Sequence, residues 1–122
     1  MNATDLIQRM KPILDDLRAR LEEKQRTAAD NALTVTLDQS SVGRLSRMDA
    51  MQQQAMAQAS MQRMQLRRRR LEAALQRVQQ SAYGNCCECA GSIGLERLLS
   101  DPAAPFCMDC QAERDADREA AR

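Results

Sequence analysis

Apolar residues recur along the start of the chain at three- and four-residue steps: Leu6, Met10, Ile13, Leu17 and Leu21, with Ile7 and Leu14 widening the stripe. This spacing keeps one face of a helix apolar and predicts an amphipathic α-helix whose signal fades after Ala28 and Ala29. Pro12 falls inside it, as a kink or as a restart after a short N-terminal turn. Between Asn31 and Ser41 the pattern lapses. Thr34, Val35 and Thr36 are poor helix formers, and Asp38, Ser40 and Ser41 are candidate N-caps, so the segment reads as the connection of a helical hairpin. From about Val42 to Gln80 nothing firmly stops a helix, because Met, Gln, Ala, Arg and Leu dominate. Leu45, Met48, Gln52, Ala55, Ala59, Gln62 and Leu66 form one seam, and Leu71, Leu75, Val78 and Ala82 a second. A helix of about 38 residues is a rod of roughly 57 Å that needs a partner. The first helix supplies one by folding back antiparallel, with small alanines permitting close approach. The alternative is a dimeric coiled coil with a frayed N-terminal segment, but the placement of the linker and the two amphipathic arms favour the intramolecular hairpin.

Tyr83 and Gly84 end the second helix. Ala90 to Gly94 reads as a turn or short hairpin, Leu95 to Leu99 as one or two helical turns, and Asp101 to Pro105 as a change of direction. A final helix runs from Cys107 to about Ala121. The fold class is therefore mainly α, in two parts: residues 1–82 as an antiparallel coiled-coil hairpin with its tip near 31–46, and residues 83–122 as a small finger with a C-terminal helix.

Composition agrees with an elongated helical object, since Tyr83 and Phe106 are the only aromatic residues among 122 and rings normally supply much of a globular core. No stretch approaches the roughly 20 apolar residues of a membrane span. The N-terminus has no basic region ahead of an apolar run, and the five cysteines are odd in number, so thiols in a reducing cytoplasm are expected in place of disulfides. Charge is unevenly distributed. Residues 1–62 balance eight basic against eight acidic side chains, residues 63–82 carry six arginines against Glu72, and residues 83–122 have four arginines against eight acids.

The chemistry is concentrated in two Cys-x2-Cys knuckles, Cys86 to Cys89 and Cys107 to Cys110, separated by seventeen residues. Four thiolates at this spacing can close a tetrahedral zinc site, and a forty-residue segment so poor in apolar bulk needs a metal to specify a fold. One structural zinc ion held by Cys86, Cys89, Cys107 and Cys110 is expected. Cys87 lies inside the first knuckle with its side chain directed away, as a spare and possible free thiol. Four cysteine ligands leave no open coordination position, and the chain has no histidine, phosphate loop or activated nucleophile, so no enzymatic role is expected.

The run Tyr83-Gly84-x-Cys86-x2-Cys89-x3-Ile93, followed by Arg97-Leu98, Pro102 and Cys107-x2-Cys110, resembles the zinc-finger signature of the TraR/DksA family of bacterial transcription regulators across residues 83–111. Ala90 stands where that signature has a glycine, with Gly91 one step later. The resemblance implies a helical hairpin ahead of the finger and a protein that binds RNA polymerase. Such proteins insert the coiled-coil tip into the secondary channel to modulate initiation, without sequence-specific recognition of DNA. A monomer is expected.

In the best-known branch the tip carries two aspartates three apart followed by an alanine. Ser40, Gly43 and Leu45 occupy those positions here, so the tip candidates are Asp38 and Asp49, accompanied by Arg44 and Arg47. That branch also responds to guanosine tetraphosphate through basic residues. Arg70 matches one of them, but Asp101 and Gln111 replace others, and an acid facing a polyanion is unfavourable, so nucleotide synergy is expected to be weak or absent. The basic run Arg67, Arg68, Arg69 and Arg70 suits contact with an acidic channel rim. Two other functions fit parts of the sequence: a direct DNA-binding zinc module, opposed by the acidic finger half, and a coiled-coil adaptor for another protein.

Overall fold

The computed structural model describes residues 2–42 and 47–121, and the side chains of all of these except 32–42. Four helices follow in order: α1 (Ala3–Val42), α2 (Arg47–Gln79), α3 (Leu95–Ser100) and α4 (Met108–Ala120). No strand occurs among the described residues; Asn85 and Ser92 form an isolated antiparallel bridge.

The segment expected to connect the hairpin is instead helical, since α1 continues to Val42. The continuation of the helix has a simple cause. Thr and Val cost only a few tenths of a kcal/mol each in a helix, and between Asn31 and Val42 no glycine or proline adds a larger penalty. Pro12 neither ends nor restarts the helix, which runs through it. At the N-terminus the Asn2 side chain accepts a hydrogen bond from the Asp5 N–H at 2.8 Å, capping the first turn.

The chain forms two compact units. One, the finger unit, comprises residues 1–17 and 69–122; the other, the helix-pair unit, is residues 18–68. In the finger unit the first turns of α1 contribute Met10 and Leu14, both fully buried, and the end of α2 contributes Leu71 and Ala74. Tyr83, Ile93, Leu98 and Ala104 complete the core with Cys86 and Cys110. In the helix-pair unit the two long helices run antiparallel, with the Arg68 guanidinium of α2 donating to the Gln25 side chain of α1 at 3.1 Å. Here the partly covered positions are Leu21, Gln25 and Ala28 on α1 and Ala50, Ala59, Ser60 and Met64 on α2. Of the seam expected from Leu45 to Leu66, Ala59 is among the partly covered positions, Met48, Gln52, Ala55, Gln62 and Leu66 are exposed, and Leu45 lies outside the described residues. Both faces of α2 carry apolar residues, so periodicity alone does not choose between them.

Helix α2 ends where Ser81 adopts φ 58° and Gly84 φ 94°. At Gly84 the backbone angle calls for glycine, and a side chain there would also displace the end of the Leu6 side chain of α1. No helix among the described residues is long and apolar enough to cross a membrane.

Candidate metal centre

Each knuckle is shaped by its own backbone before any metal is considered. Gly91 C=O accepts from the Cys86 N–H at 2.7 Å and Cys86 C=O accepts from the Ala90 N–H at 3.0 Å, closing a tight loop around the first cysteine pair. This loop turns amide hydrogens toward sulfur. Glu88 N–H donates to Cys86 Sγ and Gly91 N–H to Cys89 Sγ, both at 3.4 Å. Ala90 itself takes the left-handed backbone, φ 61°, that a glycine would adopt without cost, whereas Gly91 does not. The second knuckle opens α4. Cys107 is its N-cap, and its sulfur accepts from the Cys110 N–H at 3.5 Å. A thiolate there is favoured by the helix dipole as well as by the amide.

The four sulfurs of Cys86, Cys89, Cys107 and Cys110 lie within 4.8 Å of one another, and those of Cys89 and Cys107 are 3.9 Å apart. Zinc–sulfur bonds of about 2.3 Å in a tetrahedron require sulfur–sulfur edges of roughly 3.8 Å, so the donor set fits one zinc ion. It is a structural site, closed by four cysteines. Cys87 is exposed and lies outside this cluster; its backbone N–H donates to Pro105 C=O at 2.8 Å, tying the first knuckle to the approach of the second.

The thiols do not titrate alike. Backbone N–H groups directed at its sulfur, that of Cys89 foremost, outweigh burial and bring Cys86 down to about 6. The Gly91 amide lowers Cys89, but its hydrogen bond with Cys86 and burial outweigh that, and the net direction is up. Cys110 is pushed strongly up, first by its hydrogen bond to the Cys107 sulfur and then by burial. One depressed thiol beside two raised ones is what crowding several thiolates produces without a cation, and a divalent ion relieves it by taking the place of the protons.

A shell of polar contacts holds the knuckles in place. Arg97 Nε donates to Phe106 C=O at 2.9 Å, fixing the residue before Cys107. Arg114 of α4 lies over the Phe106 ring at 4.0 Å and pairs with Glu88 of the first knuckle at 3.0 Å. Tyr83 donates its hydroxyl to Pro102 C=O at 2.7 Å, and burial pushes its phenol up to about 12. Cysteine spacing pointed to the ligands but gave no hint of Arg114 or Glu88. Their only signal was an arginine four residues after Cys110, one helical turn on.

The remaining predicted residues are scattered. Arg67 to Arg69 are exposed on α2, whereas Arg70 is half-buried and pairs with Asp101 at 2.9 Å. Arg47 and Asp49 are exposed in the first turn of α2, and Asp38 and Arg44 lie outside the residues whose side chains are described.

Fold and site together define a helical-hairpin protein with a four-cysteine zinc finger. Residues 81–116 match the prokaryotic dksA/traR C4-type zinc finger, so the finger belongs to the TraR/DksA family. Among solved structures the chain is similar to transcription factor DksA2 from Pseudomonas aeruginosa, with a TM-score of 0.69 and 22% identity, covering 98% of this chain and 93% of that one. At that identity the likeness is one of fold. No curated protein sequence matches.

Proposed function

We propose that the protein is a cytoplasmic transcription regulator that binds bacterial RNA polymerase, placing the α1–α2 end of its hairpin in the secondary channel to modulate initiation. The observation that carries this reading is the combination of a TraR/DksA-type finger with a hairpin of the DksA2 fold along nearly the whole chain. Zinc has a structural part in it: it organises the finger unit, and no chemistry is asked of it. Asp38, Arg44, Arg47 and Asp49 are the candidate contacts near the channel, and exposed Arg67 to Arg69 supply positive charge for an acidic rim. The acidic excess of residues 83–122 would repel phosphate, which favours polymerase over DNA as the partner.

Guanosine tetraphosphate is not expected to strengthen the effect. Arg70, the basic residue that matches a nucleotide contact, is engaged by Asp101 at 2.9 Å, so an anion would have to compete with a carboxylate already in place. The decisive experiment is photocrosslinking from positions 38 to 50 to core polymerase, with transcription measured in parallel. Crosslinks within the secondary channel and altered open-complex lifetime are expected; crosslinks elsewhere with unchanged transcription overturn the reading. Full nucleotide synergy in the wild type, unchanged in D101R, would overturn the nucleotide part alone.

A further inference from the structure

The metal centre has a sheltered side and an open one. Cys86 and Cys110 are buried, whereas Cys89 is exposed and Cys107 half-buried, and the sulfurs of these two outer cysteines lie 3.9 Å apart. Each outer cysteine follows a residue with a side chain large enough to be gripped: Glu88 precedes Cys89, and Phe106 precedes Cys107. One guanidinium holds both. Arg114, one helical turn beyond Cys110 on α4, donates from Nε to Glu88 Oε2 at 3.0 Å and lies over the Phe106 ring at 4.0 Å. The Phe106 carbonyl is held in turn by Arg97 Nε at 2.9 Å.

Two contacts made by one side chain do more than either alone. The side chains of Arg114 and Glu88 are 47% and 45% exposed, and an ion pair so open to water contributes little by itself. The Phe106 ring adds an attraction of its own and already holds the guanidinium in place, so pairing with Glu88 costs less ordering. The main chain joins the knuckles through Cys87 N–H and Pro105 C=O at 2.8 Å. Arg114 adds a side-chain tie, from the residue ahead of one outer cysteine to the residue ahead of the other.

We propose that Arg114 is a positioning residue that sets how fast the finger releases its metal. A competing ligand reaches the centre from its open side, where Cys89 or Cys107 must swing off before the metal can be taken. Either movement displaces the backbone at Glu88 or Phe106 and so pulls against the same guanidinium. The buried pair, Cys86 and Cys110, lets go last. The clamp touches none of the four thiols, so it governs how often the site opens and leaves the donor set, and with it the identity of the ion, unchanged.

Transfer of zinc from the loaded full chain to an excess of the chromogenic chelator pyridylazoresorcinol tests this. R114A should release zinc about tenfold faster, and E88A, which keeps the ring contact, about threefold faster. The double variant should match R114A, because both changes break one clamp. R118A, one turn further along α4 at an exposed position, should leave the rate unchanged. Cobalt-substituted variants should keep the ligand-field bands of the wild type, which separates faster release from a distorted or unfolded site. Alkylation of the zinc-loaded wild type with N-ethylmaleimide should reach Cys89 and Cys107 before Cys86 and Cys110, and R114A should accelerate that first step. Release at the wild-type rate in either single variant, equal acceleration in R118A, altered cobalt bands in E88A, or earlier alkylation of the buried pair each overturns the proposal.

Discussion

Every buried hydrophobic side chain among the described residues lies in residues 1–17 or 69–122, the unit that also gathers the four metal-binding thiols. Residues 18–68, built from the middle of the same two long helices, contain no buried residue among those described. One unit thus combines a small core with a metal centre, and the other depends on helix propensity and partial cover along one line. The difference separates what must be specified from what only has to be helical. Six residues of α3 and a loop with almost no regular structure are held in the finger unit by named contacts: Arg97 to Phe106, Tyr83 to Pro102 and Arg114 to Glu88. Long runs of Ala, Met, Gln and Arg need no such contacts to stay helical.

The largest test of this contrast is removal of the metal. Structural zinc contributes apparent free energies of about 10 kcal/mol or more in small fingers, so a strong chelator should unfold the segment from Tyr83 to the end of α4. Amide exchange there should rise to the unprotected rate, and more readily in acid, because protons compete with the metal for thiolate. A finger segment that keeps its protection without zinc would break the comparison. Next come paired truncations. Leu98→Ala, at a site 1% exposed, should cost about 2–5 kcal/mol in urea denaturation, whereas Met61→Ala, 54% exposed, should stay within about 0.5 kcal/mol. Equal losses would show that the helix-pair unit has a core after all.

A pH series sharpens the finger side. The folded state holds the Tyr83 phenol neutral up to about 12, while the unfolded chain ionises it near 10. The fold therefore binds the extra proton, and its contribution, about 3 kcal/mol, is complete below pH 10 and lost as pH rises from about 10 to 12. Tyr83→Phe should remove that slope at a cost of about 1 kcal/mol for the hydrogen bond to Pro102. A slope that survives in the variant would assign it to another group. The smallest effect expected is a gain. Ala90 sits at φ 61°, so Ala90→Gly should stabilise the finger by roughly 1 kcal/mol in the same denaturation assay. A loss there would mean the first knuckle is not strained.

These contrasts also explain what could be read in the sequence. The finger was legible because metal binding fixes cysteine spacing, and the stripe from Leu6 to Leu21 because one buried face fixes a period. The break expected between Asn31 and Ser41 was illegible as helix because Thr and Val lower propensity without abolishing it. On α2 the wrong seam stood out. Met48, Ala55 and Leu66 keep the heptad as faithfully as the line that is partly covered, and only burial separates the two. The ion pair between Arg70 and Asp101 joins residues thirty-one positions apart, and no local pattern announces it.

The absence of buried side chains among the described residues of 18–68 has a consequence for how such a protein can change. Recognition usually alters at the expense of folding, because the residues that touch a partner also support the scaffold. On exposed helix positions such as Gln52, Ala55, Met56 and Gln62 the two demands are separate, so successive substitutions can rewrite what that surface recognises while the finger stays intact. New specificities are accessible there by single steps, each of which leaves a folded protein.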